Sequence, residues 1–202
     1  MRSTDVDPKR RPRAAPLAPE DRREALITVV IPLLSTLGRD VTTRQIAEAA
    51  GVAEGTIFRA FPDKDSLIDA AIERAFDMTE MQGRLAAIDP TLPLDECVQS
   101  VVTVLRQRLE VVYRLLFALR PPLPNPGDPQ VRRHAAEHER TDELIAALLG
   151  GSGDLRCPAR EAARWVRLCV TSATHPMFTG GRPMATARIV DLVLGGIASR
   201  PC

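Results

Sequence analysis

Residues 42–67, TTRQIAEAAGVAEGTIFRAFPDKDSL, place one glycine between two short stretches that can each bury a single face. Thr42 suits the position before a helix, and Gln45 completes a capping box with it. Ile46 and Ala47 begin an apolar face, and Ala49 and Ala50 are small enough to admit a close neighbour. Gly51 ends the helix where a left-handed backbone is wanted. Val52 is expected to plug the turn, and a second short helix from about Glu54 to bury Ile57 and Phe61. Helix, glycine turn and helix make a helix-turn-helix unit.

The rest of the chain reads as helix by the same spacing test. Pro19 fits a first helical position, with Glu20 and Asp21 at the positive end of the dipole. Leu26, Val30, Leu33 or Leu34, and Leu37 follow at helical spacing, and Gly38 closes the segment. Pro32 removes a backbone hydrogen bond inside it, which predicts a bend near Thr28. Further helices are expected near 43–49, 54–60, 64–82, 93–119, 130–149, 158–175 and 184–198. The breaks agree: Asp89-Pro90, the loop from Pro121 to Pro129, Gly150 to Gly153, and Gly180 to Pro183. No stretch alternates with period two and no internal repeat is present, so the fold class is all-α.

Composition narrows the function. At 202 residues, 45% hydrophobic and 26% charged, the chain is an ordinary soluble globule of one domain or two closely joined ones. Its 27 basic and 26 acidic residues leave a net charge of +1, which excludes nucleic-acid binding by bulk charge but not by a local patch. Aromatics are only 3%, against recognition by stacked bases. The longest apolar run, Leu26 to Leu34, is too short to cross a bilayer, and the charged start lacks a secretory segment. No membrane partner and a cytoplasmic location are therefore expected. Cys97, Cys157, Cys169 and Cys202 form no CxxC pair and are expected to be reduced, mostly buried thiols. Residues 1–17 read as a basic arm with Arg2, Lys9, Arg10, Arg11 and Arg13, either inert or able to reach phosphates or a minor groove.

In helix-turn-helix units the second helix lies in the DNA major groove. The register here continues through Phe61-Pro62, a new cap at Asp63, Lys64 and Leu67, and at this length it resembles the TetR family of bacterial transcription regulators. The segment RREALITVVIPLLSTLG resembles that family's first helix, and the likeness is strong over roughly residues 20–70. The resemblance implies a flexible arm (1–17), a three-helix DNA-binding domain (18–66) and a larger helical domain for effector binding and dimerisation (67–202). It also implies DNA contacts from Thr43, Arg44, Glu54, Gly55, Thr56, Phe58, Arg59 and Lys64. Thr43, Thr56 and Lys64 would hold phosphate, Arg44 would read a guanine, and Arg59 a base or a phosphate. Glu54 would oppose wrong sequences or favour cytosine. Three positions depart from the pattern: Phe58 replaces a tyrosine, Ala60 a histidine or tyrosine, and Ala53 a serine cap. Phe58 also reads as a packing residue, and Arg44 and Arg59 as plain surface.

One such unit reads few base pairs, so two copies on a two-fold operator are expected. The family's last two helices pair with their mates, which implies a dimer face at Ala163, Val166, Val170, Ala173, Ile189, Leu192, Val193 and Gly196. A small-molecule effector is expected between reader and dimer face, on Thr103, Gln107, Tyr113, Phe117, His134, His138 and Trp165. His134 and His138 share a helical face and can ligate a metal, but Glu137 points off that face and no third ligand lies near. No metal and no cofactor are therefore assigned. Trp165 reads first as core, with the wall of the effector site as the alternative.

These readings combine in a dimeric, ligand-responsive regulator that binds a palindromic double-stranded DNA operator, acts as a repressor, and is released by a small, largely apolar effector. The alternative is a helical interaction or architectural protein on the same fold with weak DNA reading. An enzyme is not expected: no G-x-S-x-G, phosphate-binding glycine loop or triad order is present.

Overall fold

A computed structural model describes residues 18–120, 128–151 and 155–198. The arm, residues 121–127 and 152–154, and Cys202 lie outside them. The described residues are helical, save for an isolated antiparallel bridge between Leu155 and Ala198. In chain order the helices are α1 (Pro19–Leu37), α2 (Thr43–Ala50), α3 (Glu54–Ala60), α4 (Lys64–Phe76), α5 (Thr79–Ala86), α6 (Leu94–Leu119), α7 (Pro129–Gly150), α8 (Ala159–Thr174), the short α9 (Pro176–Thr179) and α10 (Thr186–Ile197). The all-α expectation holds for the described chain.

α1 keeps Pro32 inside one helical span; Thr28 and Pro32 are both exposed, so the carbonyl that loses its donor lies on the side facing water. One difference from the spacing-based expectations has a local cause. The helix expected over 64–82 divides into α4 and α5 at Asp77. The Asp77 carboxylate accepts from Thr79 N at 2.8 Å and from Thr79 Oγ1 at 2.6 Å. That local turn competes with continued helix.

Two apolar clusters form the interior. The first joins Leu26, Val30 and Leu34 of α1 to Ile46, Ile57, Phe61, Leu67 and Ile68. It extends along α4 to Ala75, and Leu115 of α6 completes it. The second gathers α5, Val98 to Leu105 of α6, Ile145 and Leu149 of α7, and the inner faces of α8 and α10. Fully burying one such side chain is worth about 1.5–3 kcal/mol, so each cluster holds its helices firmly. α6, 26 residues long, contributes to both and is the rod that links them.

Candidate nucleic-acid interface

Capping decides where the reading helices begin. Thr42 Oγ1 accepts from Gln45 N at 3.2 Å, and the Gln45 side chain accepts from Thr42 N at 2.9 Å. Both halves of the expected capping box are present. α2 stops at Gly51, whose φ of 65° and ψ of 30° are left-handed, and Val52 N donates back to Ala47 O at 3.0 Å. The Val52 side chain does not plug the turn. It stays exposed, because Ile46, Ala47 and Ile57 already fill the inner side.

α3 begins after Ala53 with no side-chain cap. Ile57 and Phe61 turn inward, whereas Glu54, Gly55, Phe58 and Arg59 are exposed and Thr56 is half-buried. Phe58 is 51% exposed, so it is not the packing residue that one reading of the sequence made it. The Thr43 hydroxyl donates to the Glu54 carboxylate, tying the start of α2 to the start of α3. Arg44 donates to Glu48 at 3.1 Å in an exposed pair along α2. Lys64, at the start of α4, donates to Arg39 O at 3.2 Å. Asp63 caps that helix by accepting from Ser66 N at 2.7 Å, which holds its carboxyl below the usual range.

Arg23 supports this layer and was not singled out from the sequence. Its guanidinium lies 4.0 Å from the centre of the Phe61 ring and donates to Ala60 O at 2.7 Å, gripping the end of α3. No short-range signal links positions so far apart in sequence.

A cavity of about 600 Å³ opens between the end of α1, residues 110–118 of α6, and the end of α8 with the segment that follows. Tyr113 and Phe117 line it. Behind them the His175 ring stands edge-on to Tyr113 at 4.5 Å and 5.1 Å from Phe178. The other effector candidates are not on this wall. Thr103 donates to Gln99 O at 2.7 Å, and Gln107 accepts from Arg84 at 2.6 Å. Trp165, read first as core, is instead exposed on the outer side of α8. On α7, His134 is half-buried and His138 exposed. Desolvation of the side of its ring that faces the protein, and then the Arg167 guanidinium, push His138 below the ordinary imidazole range although the residue still meets solvent. Among the described residues, no three His, Cys, Asp or Glu side chains group as a metal site.

The dimer-face candidates divide as well. Ala163, Val166, Val170, Ile189 and Val193 are buried in the second cluster, and Ala173 packs against it. Leu192 is exposed and Gly196 half-buried. The regular apolar stripe of each helix faces the subunit's own core, and the exposed apolar residues are Trp165 and Leu168 on α8 and Leu192 on α10. Cys97 is buried, Cys157 and Cys169 are half-buried, and all three are free thiols. Burial pushes Cys97 and Cys169 up, against the thiolate form. Among the described residues no helix is long and apolar enough to cross a membrane.

Comparison with known proteins supplies the context. The model of the tetR family of bacterial regulatory proteins matches residues 34–71. The chain is 39% identical over 57 residues to the nucleoid occlusion factor SlmA of Actinobacillus pleuropneumoniae, covering 27% of this chain and 28% of that protein. It is 35% identical over 68 residues to the transcriptional repressor KstR of Rhodococcus jostii, covering 33% and 32%. The match thus spans about a third or less of either relative. In fold it resembles the TetR transcriptional regulator SCO0520 of Streptomyces coelicolor, with a TM-score of 0.58 at 21% identity over 87% of this chain and 98% of that one. The N-terminal helices thus match the DNA-binding segment of the tetR family of bacterial regulatory proteins, and the fold of the described residues is the one seen in a TetR transcriptional regulator.

Proposed function

We propose that the protein acts as a homodimer that represses transcription, setting two α3 helices into successive major grooves of a palindromic operator and leaving it when a small, largely apolar effector binds. The observation that carries this reading is the orientation of α3: Ile57 and Phe61 are buried, while Glu54, Gly55, Phe58 and Arg59 are exposed on its outer side. Arg44 and Arg59 read bases. Thr43, Thr56 and Lys64 hold phosphates, and Phe58 lies flat against the backbone without the hydroxyl of a tyrosine. The pair between Arg44 and Glu48 is exposed on both sides and costs about 0.3–0.5 kcal/mol to open, well below the 1–3 kcal/mol, roughly, of a good bidentate base contact. The exposed Trp165, Leu168 and Leu192 form the self-complementary face of the dimer.

A mobility-shift assay on the region upstream of its own gene, at low and at stated moderate salt, tests the proposal. A retarded band is expected with the wild type. Arg44→Ala and Arg59→Ala should each lose about 1–3 kcal/mol and relax specificity, with folding unchanged. No shift at low salt by folded protein would sink the reading.

A second reading is favoured by the likeness to SlmA and by an α3 with neither cap nor tyrosine hydroxyl. In it the same fold works as an architectural or interaction protein with weak sequence reading. There Arg44→Ala and Arg59→Ala leave function unchanged, which separates the two.

A further inference from the structure

Thr174 ends α8, is 2% exposed, and lines the cavity between α1 and α6. Its hydroxyl has no hydrogen-bond partner, and it is alone in this among the buried side-chain nitrogen and oxygen atoms of the described residues. Buried polar groups are nearly always paired. A buried hydroxyl left without a partner, on a residue of the cavity wall, is a group that a ligand's polar atom can satisfy. The neighbouring Tyr113 hydroxyl already donates to Thr171 O at 3.2 Å. The rest of that wall is largely apolar: Tyr113, Phe117, Pro176 and Pro183. Its volume of about 600 Å³ is that of a small-molecule site.

We infer that this cavity binds a small uncharged amphiphile, with an apolar chain lying along Tyr113, Phe117 and Pro183 and one hydroxyl or carbonyl group hydrogen-bonded to Thr174. The inference rests on the effector reading above and gives that effector a place and a chemical class. Charge on the ligand is disfavoured, because a buried charge needs a partner. The ionic groups of the wall are Glu110, held by Arg106 at 3.0 Å, and the exposed Arg114, whose Nε donates to Glu110 O at 3.1 Å. Neither is a buried counter-ion waiting beside Thr174. The cavity also reaches Ser35 and Thr36, the last full turn of α1. At its end Gly38 is so close to α6 that an added Cβ would lie 2.9 Å from Ala118 O. A molecule held there touches the reading module and the rod α6 together, and it can favour one arrangement of the two over another.

Calorimetric titration of the full chain without DNA, using 1-octanol, octanoate and octyltrimethylammonium, tests this. The three probes share a tail and differ in charge. Octanol should bind at least about tenfold more tightly than either ion, and Thr174→Val should weaken it about tenfold, the worth of one hydrogen bond. Thr174→Ser should retain binding, and Thr174→Ala should repeat the loss if valine disturbs the helix. Octanol affinity indifferent to Thr174, equal or tighter binding of an ion, or no binding of any probe overturns the site. A mobility shift on the upstream DNA then separates the two claims. Thr174-dependent octanol binding that never alters the shift supports the site and sinks the effector role alone. Octanol relief of the shift that persists in Thr174→Val keeps the effector role and overturns the site.

Discussion

Gly38 holds φ 61° and ψ −148°, a region that side chains with a Cβ essentially never occupy. Ala118 O blocks the space a Cβ would need. Gly38→Ala should therefore destabilise the protein by about 2 kcal/mol or more in urea unfolding, since strain of this kind costs about 1–3 kcal/mol before any clash. A second case sits between α7 and α8. Arg167 clasps Asp142 at 2.5 and 2.8 Å, the two side chains being 18% and 10% exposed. Removing one partner of a wholly buried pair costs about 3–5 kcal/mol. With some water still present, Asp142→Ala should cost about 2 kcal/mol, and the double change Asp142→Leu with Arg167→Met should recover most of it. Thermal unfolding of the single and double variants distinguishes the cost of a stranded charge from the worth of the pair.

Helix ends carry much of this protein's local order. Asp63, Asp77 and Asp89 each accept hydrogen bonds from a residue just ahead of them: Ser66, Thr79 and Thr91. Those bonds stabilise the charged form, so all three carboxyls lie below the ordinary range. A depressed folded-state pKa contributes stability above the unfolded value near pH 4, roughly, and the contribution is lost as pH falls through the folded one. The melting temperature should be steady from about pH 7 to 5 and drop below about pH 4, and Asp77→Asn should flatten part of that fall. α2 gives a second case at this scale. Thr42→Ala removes an acceptor for Gln45 N and should cost about 1 kcal/mol, read as a lower urea midpoint. The element expected over 64–82 became two helices because Asp77 and Thr79 form their turn with side chains. Hydrophobic spacing, the signal used to read that stretch, does not register such bonds.

At the scale of the whole molecule, α6 passes from one apolar cluster into the other, with Val98 to Leu105 in the second and Leu115 in the first. α6 therefore ties the packing of the two clusters together along one continuous helix. Outside, Trp165, Leu168 and Leu192 stand 48%, 45% and 49% exposed. Gly196 leaves no room for a Cβ, which would fall 2.7 Å from Trp165 Nε1. The indole therefore seats on α10 and shapes the outer face. If this face pairs two subunits, Leu168→Arg should convert a dimer to a folded monomer by size-exclusion chromatography and weaken operator binding at least about tenfold, because the second half-site is lost.

By itself the sequence determined what short-range rules control. Thr42 with Gln45, Gly51, and the inward spacing of Ile46, Ile57 and Phe61 specify the reading unit within some twenty residues, and the structure holds each of those features. Tertiary structure alone decided that the regular apolar stripes of α8 and α10 became the subunit's own core. It also decided that Ser35, Tyr113, Thr174 and Pro183 would wall one cavity together. A stripe's spacing records that it is apolar and leaves open what covers it. A cavity wall drawn from positions scattered from 35 to 183 has no periodicity to read, because only the packing of whole helices brings those side chains together.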